Sequence, residues 1–121
     1  MRILVIEDDA QTRRTLERIL RGMFHDASIV CVDSAGQAIA HLEQVDKAGM
    51  FDLVSSDFNL VGSHTGGDVL DWVRGHLPRL AHRFMFVSGN DAARRYGVPF
   101  VEKPCDLVSF RAAVRALVNN H

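Results

Sequence analysis

Five short apolar runs punctuate the chain: Arg2–Ile6 (RILVI), Ser28–Val32 (SIVCV), residues 51–56 (FDLVSS), residues 83–87 (RFMFV) and residues 100–101 (FV). The first is almost purely apolar and rich in β-branched residues, the pattern of a strand buried on both faces of a sheet, and the others are short and strand-like. The stretches between them change to helical spacing. Leu16, Ile19, Leu20 and Met23 share one face from Ala10 onward, with Arg13, Arg14, Glu17, Arg18 and Arg21 largely on the other. Ala35, Ala38, Ile39 and Leu42 follow a cap at Asp33 or Ser34, and Val69, Leu70, Val73 and Leu77 are stopped by Pro78. A last helix starts near Asp106 and is expected to bury Leu107, Phe110, Val114 and Leu117. Residues 59–67, with three of the nine glycines, read as a loop, and Asp91–Tyr96 as a short segment running through Gly97 and Pro99 into the fifth strand.

Strand and helix alternating five times indicate parallel βαβ units, hence a doubly wound α/β sheet with helices on both faces. Ligands of such sheets bind beyond the carboxyl ends of the strands. Those ends carry Glu7, Asp8 and Asp9 after the first strand, Asp57 after the third, Ser88 after the fourth and Lys103 after the fifth. Carboxylates converging on one crevice take up protons or bind a cation. Magnesium favours a few carboxylates and leaves positions for phosphate oxygens. A lysine and a hydroxyl at the rim suit a transferring phosphoryl group.

Composition narrows the alternatives. The 121 residues suffice for one domain spanning residues 1–121, and 47% hydrophobic with 24% charged residues is a globular composition. With 14 Lys plus Arg against 15 Asp plus Glu there is no basic field, which speaks against direct nucleic-acid binding. The apolar runs are strand-sized, so neither a membrane span nor a signal peptide is expected, and a cytoplasmic location follows. Cys31 and Cys105 are expected as free thiols. The six histidines, His25, His41, His64, His76, His82 and His121, lack metal-ligand spacing and read as surface or loop residues. Trp72 and Tyr96 read as packing residues.

ILVIEDD, DLVSSDFNL, FVSGN and FVEKP together resemble the four signature segments of response-regulator receiver domains, in order and across nearly the whole chain. Each is short, but four in register at successive strand ends are specific. The resemblance implies a CheY-like, flavodoxin-like five-stranded sheet of order 2-1-3-4-5. It further implies that Glu7 and Asp8 hold Mg2+ (Mn2+ substituting) together with the Asp57 carboxylate and the Asn59 main-chain carbonyl. Asp57 would be the phosphoacceptor, taking the group from a histidine kinase or a histidine phosphotransfer protein of a two-component phosphorelay. Ser88 matches the hydroxyl residue that moves to the phosphoryl group, Lys103 the lysine that pairs with its oxygens, and Phe100 the aromatic switch. Lys103-Pro104 matches the family's cis bond. In that strand order Cys31 and Cys105 lie about 19 Å apart, too far to bridge.

Simpler roles compete at several positions. Asp9, one place beyond the acidic pair, is expected to cap the first helix rather than bind metal. Ser88 beside Gly89 also suits plain turn chemistry, and a lone lysine is usually a solvated charge. The haloacid dehalogenase type of phosphatase shares an aspartate nucleophile but needs a second aspartate two residues later, where this chain has Asn59. A receiver acting as an interaction module without phosphorylation is the other alternative. No enzymatic turnover beyond self-catalysed phosphoryl acceptance and slow self-dephosphorylation is expected.

Departures from the family pattern lie outside the chemistry. Only 15 positions separate Ser88 from Lys103, so the fourth helix, between strands four and five, should be shortened or replaced by a turn. That speaks against the usual dimer through this face and leaves the oligomeric state open. Val61 stands where a proline is frequent, SHTGG is slightly long, and extra residues around Gln44 to Met50 lengthen the approach to strand three. No effector domain follows the last helix and Met1 looks native, so a stand-alone regulator contacting an output protein directly is expected over a piece of a longer kinase. Arg14, Arg18 and Arg21 form a stripe that suits an acidic kinase or phosphotransfer surface, although a solvated face with a Glu17-Arg21 pair is the simpler reading. If the stripe docks the donor, charge reversal at Arg14 and Arg18 slows phosphotransfer from it; an unchanged rate assigns the stripe to solvent.

Overall fold

In the computed structural model, residues 1–44 and 50–119 are described; the lengthening expected before strand three falls mainly on residues 45–49, outside them, as does His121. Strands β1 (Arg2–Ile6), β2 (Ser28–Val32), β3 (Leu53–Ser56), β4 (Phe84–Ser88) and β5 (Phe100–Glu102) form one parallel sheet in the order β2-β1-β3-β4-β5. Helices α1 (Ala10–Met23), α2 (Ala35–Glu43), α3 (Gly66–His76), a single turn α4 (Pro78–Ala81) and α5 (Leu107–Asn119) cover it. This is the doubly wound architecture and strand order expected. Among the described residues no helix is long and apolar enough to cross a membrane.

The period of two in each strand divides the core. Ile3, Val5, Leu53, Met85, Val87 and Val101 face Leu16 and Leu20 of α1 and Phe110, Val114 and Leu117 of α5. Leu4, Ile6, Val54, Phe84 and Phe86 face Ala38 and Leu42 of α2 and Val69, Leu70 and Val73 of α3. Both faces are covered, which is why most strand positions are apolar without a polar alternation. Each fully buried aliphatic or Phe side chain contributes about 1.5–3 kcal/mol of transfer free energy. The register aligns the strand ends: Ile6 pairs with Val32 and Ser56, Ser56 with Phe86, and Phe86 with Phe100. Glu7, Asp57, Ser88 and Lys103 therefore emerge along one edge of the sheet.

Local chemistry sets the helix starts. Asp9 accepts from the Thr12 amide (2.9 Å) and Ser34 from the Gln37 amide (3.2 Å). Thr65 and Asp68 form a reciprocal capping box. That box begins α3 at Gly66, so Gly66 and Gly67 belong to the helix and not, as expected, to the loop before it. Strand β3 starts at Leu53 rather than Phe51; just before it, Asp52 donates its amide to the Arg2 carbonyl (2.7 Å) and its carboxylate accepts from the Arg2 amide (2.8 Å). Strand β4 is shifted one residue onward and β5 gains Glu102. Leu107 is 48% exposed instead of buried, since the first turn of α5 stands clear of the core that Phe110 enters. The connection from β4 to β5 holds only a 3₁₀ segment, Asp91–Tyr96, closed by Gly97 at φ 72°. The shortening expected from the spacing is present.

Gly66 is a close-approach position: a Cβ there would lie 2.1 Å from the Asp57 carbonyl oxygen, whereas one at Gly75 would meet nothing. Urea unfolding of Gly66→Ala should show a loss of about 2–3 kcal/mol from overpacking. Gly75→Ala, inside the same helix, should gain about 0.5–1 kcal/mol.

Candidate functional site

Three parallel strands deliver the acids and the lysine. The Glu7 amide donates to the Val32 carbonyl (2.9 Å) and the Asp57 amide to the Ile6 carbonyl (2.8 Å), which extends the ladder by one residue on each strand. The Lys103 amide donates to the Ser88 carbonyl (3.1 Å), and the Lys103-Pro104 bond is cis as expected. Lys103 Nζ lies 2.8 Å from Glu7 Oε1 and 2.9 Å from Asp57 Oδ2. One ammonium thus spans two carboxylates that are almost wholly buried, Glu7 at 0% and Asp57 at 7% exposure.

Asp8 is exposed, and one carboxylate oxygen each from Glu7, Asp8 and Asp57 lie within 4.8 Å of one another. Glu7 Oε2 accepts from the Asp9 amide (3.1 Å), while buried Oε1 faces the Lys103 charge without a well-directed hydrogen bond. A buried oxygen with spare acceptor capacity, in a cluster of carboxylate donors, fits a hard divalent cation. Asp9 caps α1, and its bonds from the Thr12 hydroxyl and amide hold its carboxyl below the usual range.

Ser88 is fully buried, with Oγ accepting from the Asn90 amide (3.1 Å). Asn59 is exposed and its Oδ1 accepts from Asn90 Nδ2 (3.0 Å), so the two asparagines meet across the mouth of the crevice. Phe100 is half-buried at the start of β5, with the Arg94 guanidinium 4.4 Å above its ring. Sequence periodicity did not single out Arg13, whose Nη1 donates to the Glu7 carbonyl (3.0 Å) across the turn from β1 to α1. Asn90, which ends the FVSGN segment two residues past Ser88, flanks the site together with Asn59 as the sequence implies.

Burial raises the Glu7 carboxyl above its usual value; the Lys103 ammonium and the bond from the Asp9 amide oppose this and the Asp57 charge adds to it. Burial pulls Lys103 down, but its pairing with Glu7 and Asp57 outweighs that and raises it overall. Cys31 and Cys105 are free, and burial pushes both thiols up to about 11, away from thiolate reactivity. Arg14, Arg18 and Arg21 are exposed on α1, and Arg21 pairs with Glu17 at 2.7 Å.

No protein-family model matches the sequence and no curated protein matches it. Solved structures do. The receiver domain of the hybrid histidine kinase CckA is 28% identical, with a TM-score of 0.78 over 98% of this chain and 100% of that one. A response regulator receiver protein from Sinorhizobium medicae gives 24% identity and a TM-score of 0.80 over 98% and 94%. The non-phosphorylated HemR receiver domain from Leptospira biflexa gives 23% and 0.79 over 99% and 95%. Over nearly its whole length, the chain has the fold of response-regulator receiver domains.

A carboxyl whose pKa is raised on folding contributes stability below its unfolded value, and that contribution is lost as pH rises through the folded value. Glu7→Gln removes this loss. In chelator, its stability relative to wild type should therefore improve as pH rises from about 4 to about 7. Denaturant unfolding at the two pH values checks the sign.

Proposed function

We propose that this chain is a phospho-accepting receiver domain of a two-component system, with Asp57 as the acceptor. The observation that carries the reading is the single Lys103 ammonium held between buried Glu7 and Asp57, at the strand ends where the sheet places ligands. The two-component context is supported by the fold shared with receivers of a hybrid histidine kinase and of response regulators.

A carboxylate oxygen of Asp57 attacks phosphorus of a phosphohistidine on the donor. An O–P bond forms, the P–N bond breaks, and its electron pair returns to the imidazole. Lys103 holds Asp57 Oδ2, so the other oxygen is presented to phosphorus. The ammonium also offsets charge on the phosphoryl oxygens as it develops. Ser88, buried at the end of β4, supplies a hydroxyl to the product phosphoryl group. Glu7, Asp8 and Asp57, with the Asn59 main-chain carbonyl, would hold Mg2+, or Mn2+ in its place. When bound, that ion supplies positive charge toward the phosphoryl oxygens. The partners on this reading are a histidine kinase or histidine phosphotransfer protein on the input side and a directly contacted output protein.

With acetyl phosphate and magnesium, the intact mass should rise by one phosphoryl group, and Asp57→Asn or chelation of the metal should abolish the gain. Lys103→Met should slow the gain by about 10²-fold, the scale for loss of one preorganised charge contact. A gain that persists in Asp57→Asn rejects the assignment.

A further inference from the structure

Tyr96, the only tyrosine in the chain, ends the 3₁₀ segment that replaces a helix between β4 and β5. Its ring turns inward. It lies 5.5 Å from the Phe58 ring and 5.8 Å from the Phe86 ring, which are 5.8 Å from each other. Three rings in mutual edge-on or tilted contact make a specific packing unit. Phe58 directly follows Asp57, and Phe86 stands two residues before Ser88. Gly67 forms the floor: a Cβ there would be 2.4 Å from the Tyr96 phenol carbon and oxygen, so the ring rests on the first turn of α3. Arg74 of α3 holds the Tyr96 carbonyl.

The other end of the segment is anchored to the site as well. Asn90 donates its amide to Ser88 Oγ (3.1 Å) and caps the segment by accepting from the Ala92 amide (2.9 Å). Seven residues, Asn90 to Tyr96, thus run from the Ser88 hydroxyl to a ring packed on the residue after Asp57. Phe100 is held differently. Arg94 stacks on it and pairs with Glu102 (3.3 Å) and Asp91 (3.4 Å), so a swing of that ring must break a cation–π contact.

We propose that Tyr96 and the Asp91–Tyr96 segment form the relay by which phosphorylation of Asp57 reaches the surface. The proposal rests on the phosphoacceptor reading above. A serine hydroxyl that rotates toward a phosphoryl oxygen changes rotamer and withdraws its oxygen from the Asn90 amide. The segment then shifts about its Tyr96 wedge, and the exposed Arg94 and Arg95 side chains move with it.

Protein labelled with 3-fluorotyrosine gives one fluorine resonance, from Tyr96. Samples with acetyl phosphate and magnesium are read by intact mass, by that resonance and by amide exchange across residues 90–97. A phosphoryl gain accompanied by a moved resonance and altered exchange is the expected result, in wild type and in Phe100→Leu, with neither change in Asp57→Asn. A phosphoryl gain with the resonance or the exchange unaltered overturns the relay while leaving the acceptor assignment intact, as does a response that disappears in Phe100→Leu. No phosphoryl gain in wild type removes the acceptor reading and the relay with it.

Discussion

One ammonium between two buried carboxylates is the constraint on which the rest depends. Glu7 and Asp57 emerge from neighbouring strands, and without a cation their charges would repel in a desolvated crevice. Lys103 comes from β5, two strand spacings from β3, or about 9.6 Å. Its side chain must cross the end of β4, where the small residue Ser88 stands. Removing one partner of such a buried pair costs about 3–5 kcal/mol. The parallel register, the strand lengths and the position of Ser88 are therefore tied to the same electrostatic requirement that holds Glu7, Asp57 and Lys103 together.

The backbone around Asp57 is equally confined. The Gly66 amide donates to the Phe58 carbonyl (2.7 Å), and Ser56 Oγ donates to the Asp57 carbonyl (2.7 Å). The first turn of α3, started by the Thr65–Asp68 box, closes against that carbonyl so tightly that only glycine fits. Asp57 is thus clamped from behind by backbone while its carboxylate pairs with Lys103. The 3₁₀ segment, tied to Ser88 at one end and to Phe58 and Gly67 at the other, gives the short β4–β5 connection a defined conformation despite lacking a full helix.

The sequence by itself determined what local pattern can encode. Apolar runs with helical stretches between them specify parallel strands, because strands buried on both faces have no polar alternation to hide. The acids, hydroxyl and lysine were legible because a doubly wound sheet places ligands at strand ends. The 15-residue spacing from Ser88 to Lys103 was enough to anticipate the truncated connection. Side-chain partnership was not legible: the joint hold of Lys103 on Glu7 and Asp57, the reach of Arg13 to the Glu7 carbonyl and the meeting of Asn59 with Asn90 all join residues without a fixed sequence period. The tertiary structure decided that Gly66 and Gly67 open a helix, that Leu107 stays exposed, and that Tyr96 turns inward while Phe100 is held under Arg94. Each of these depends on which surfaces come within a few ångströms after the sheet and its helices have packed.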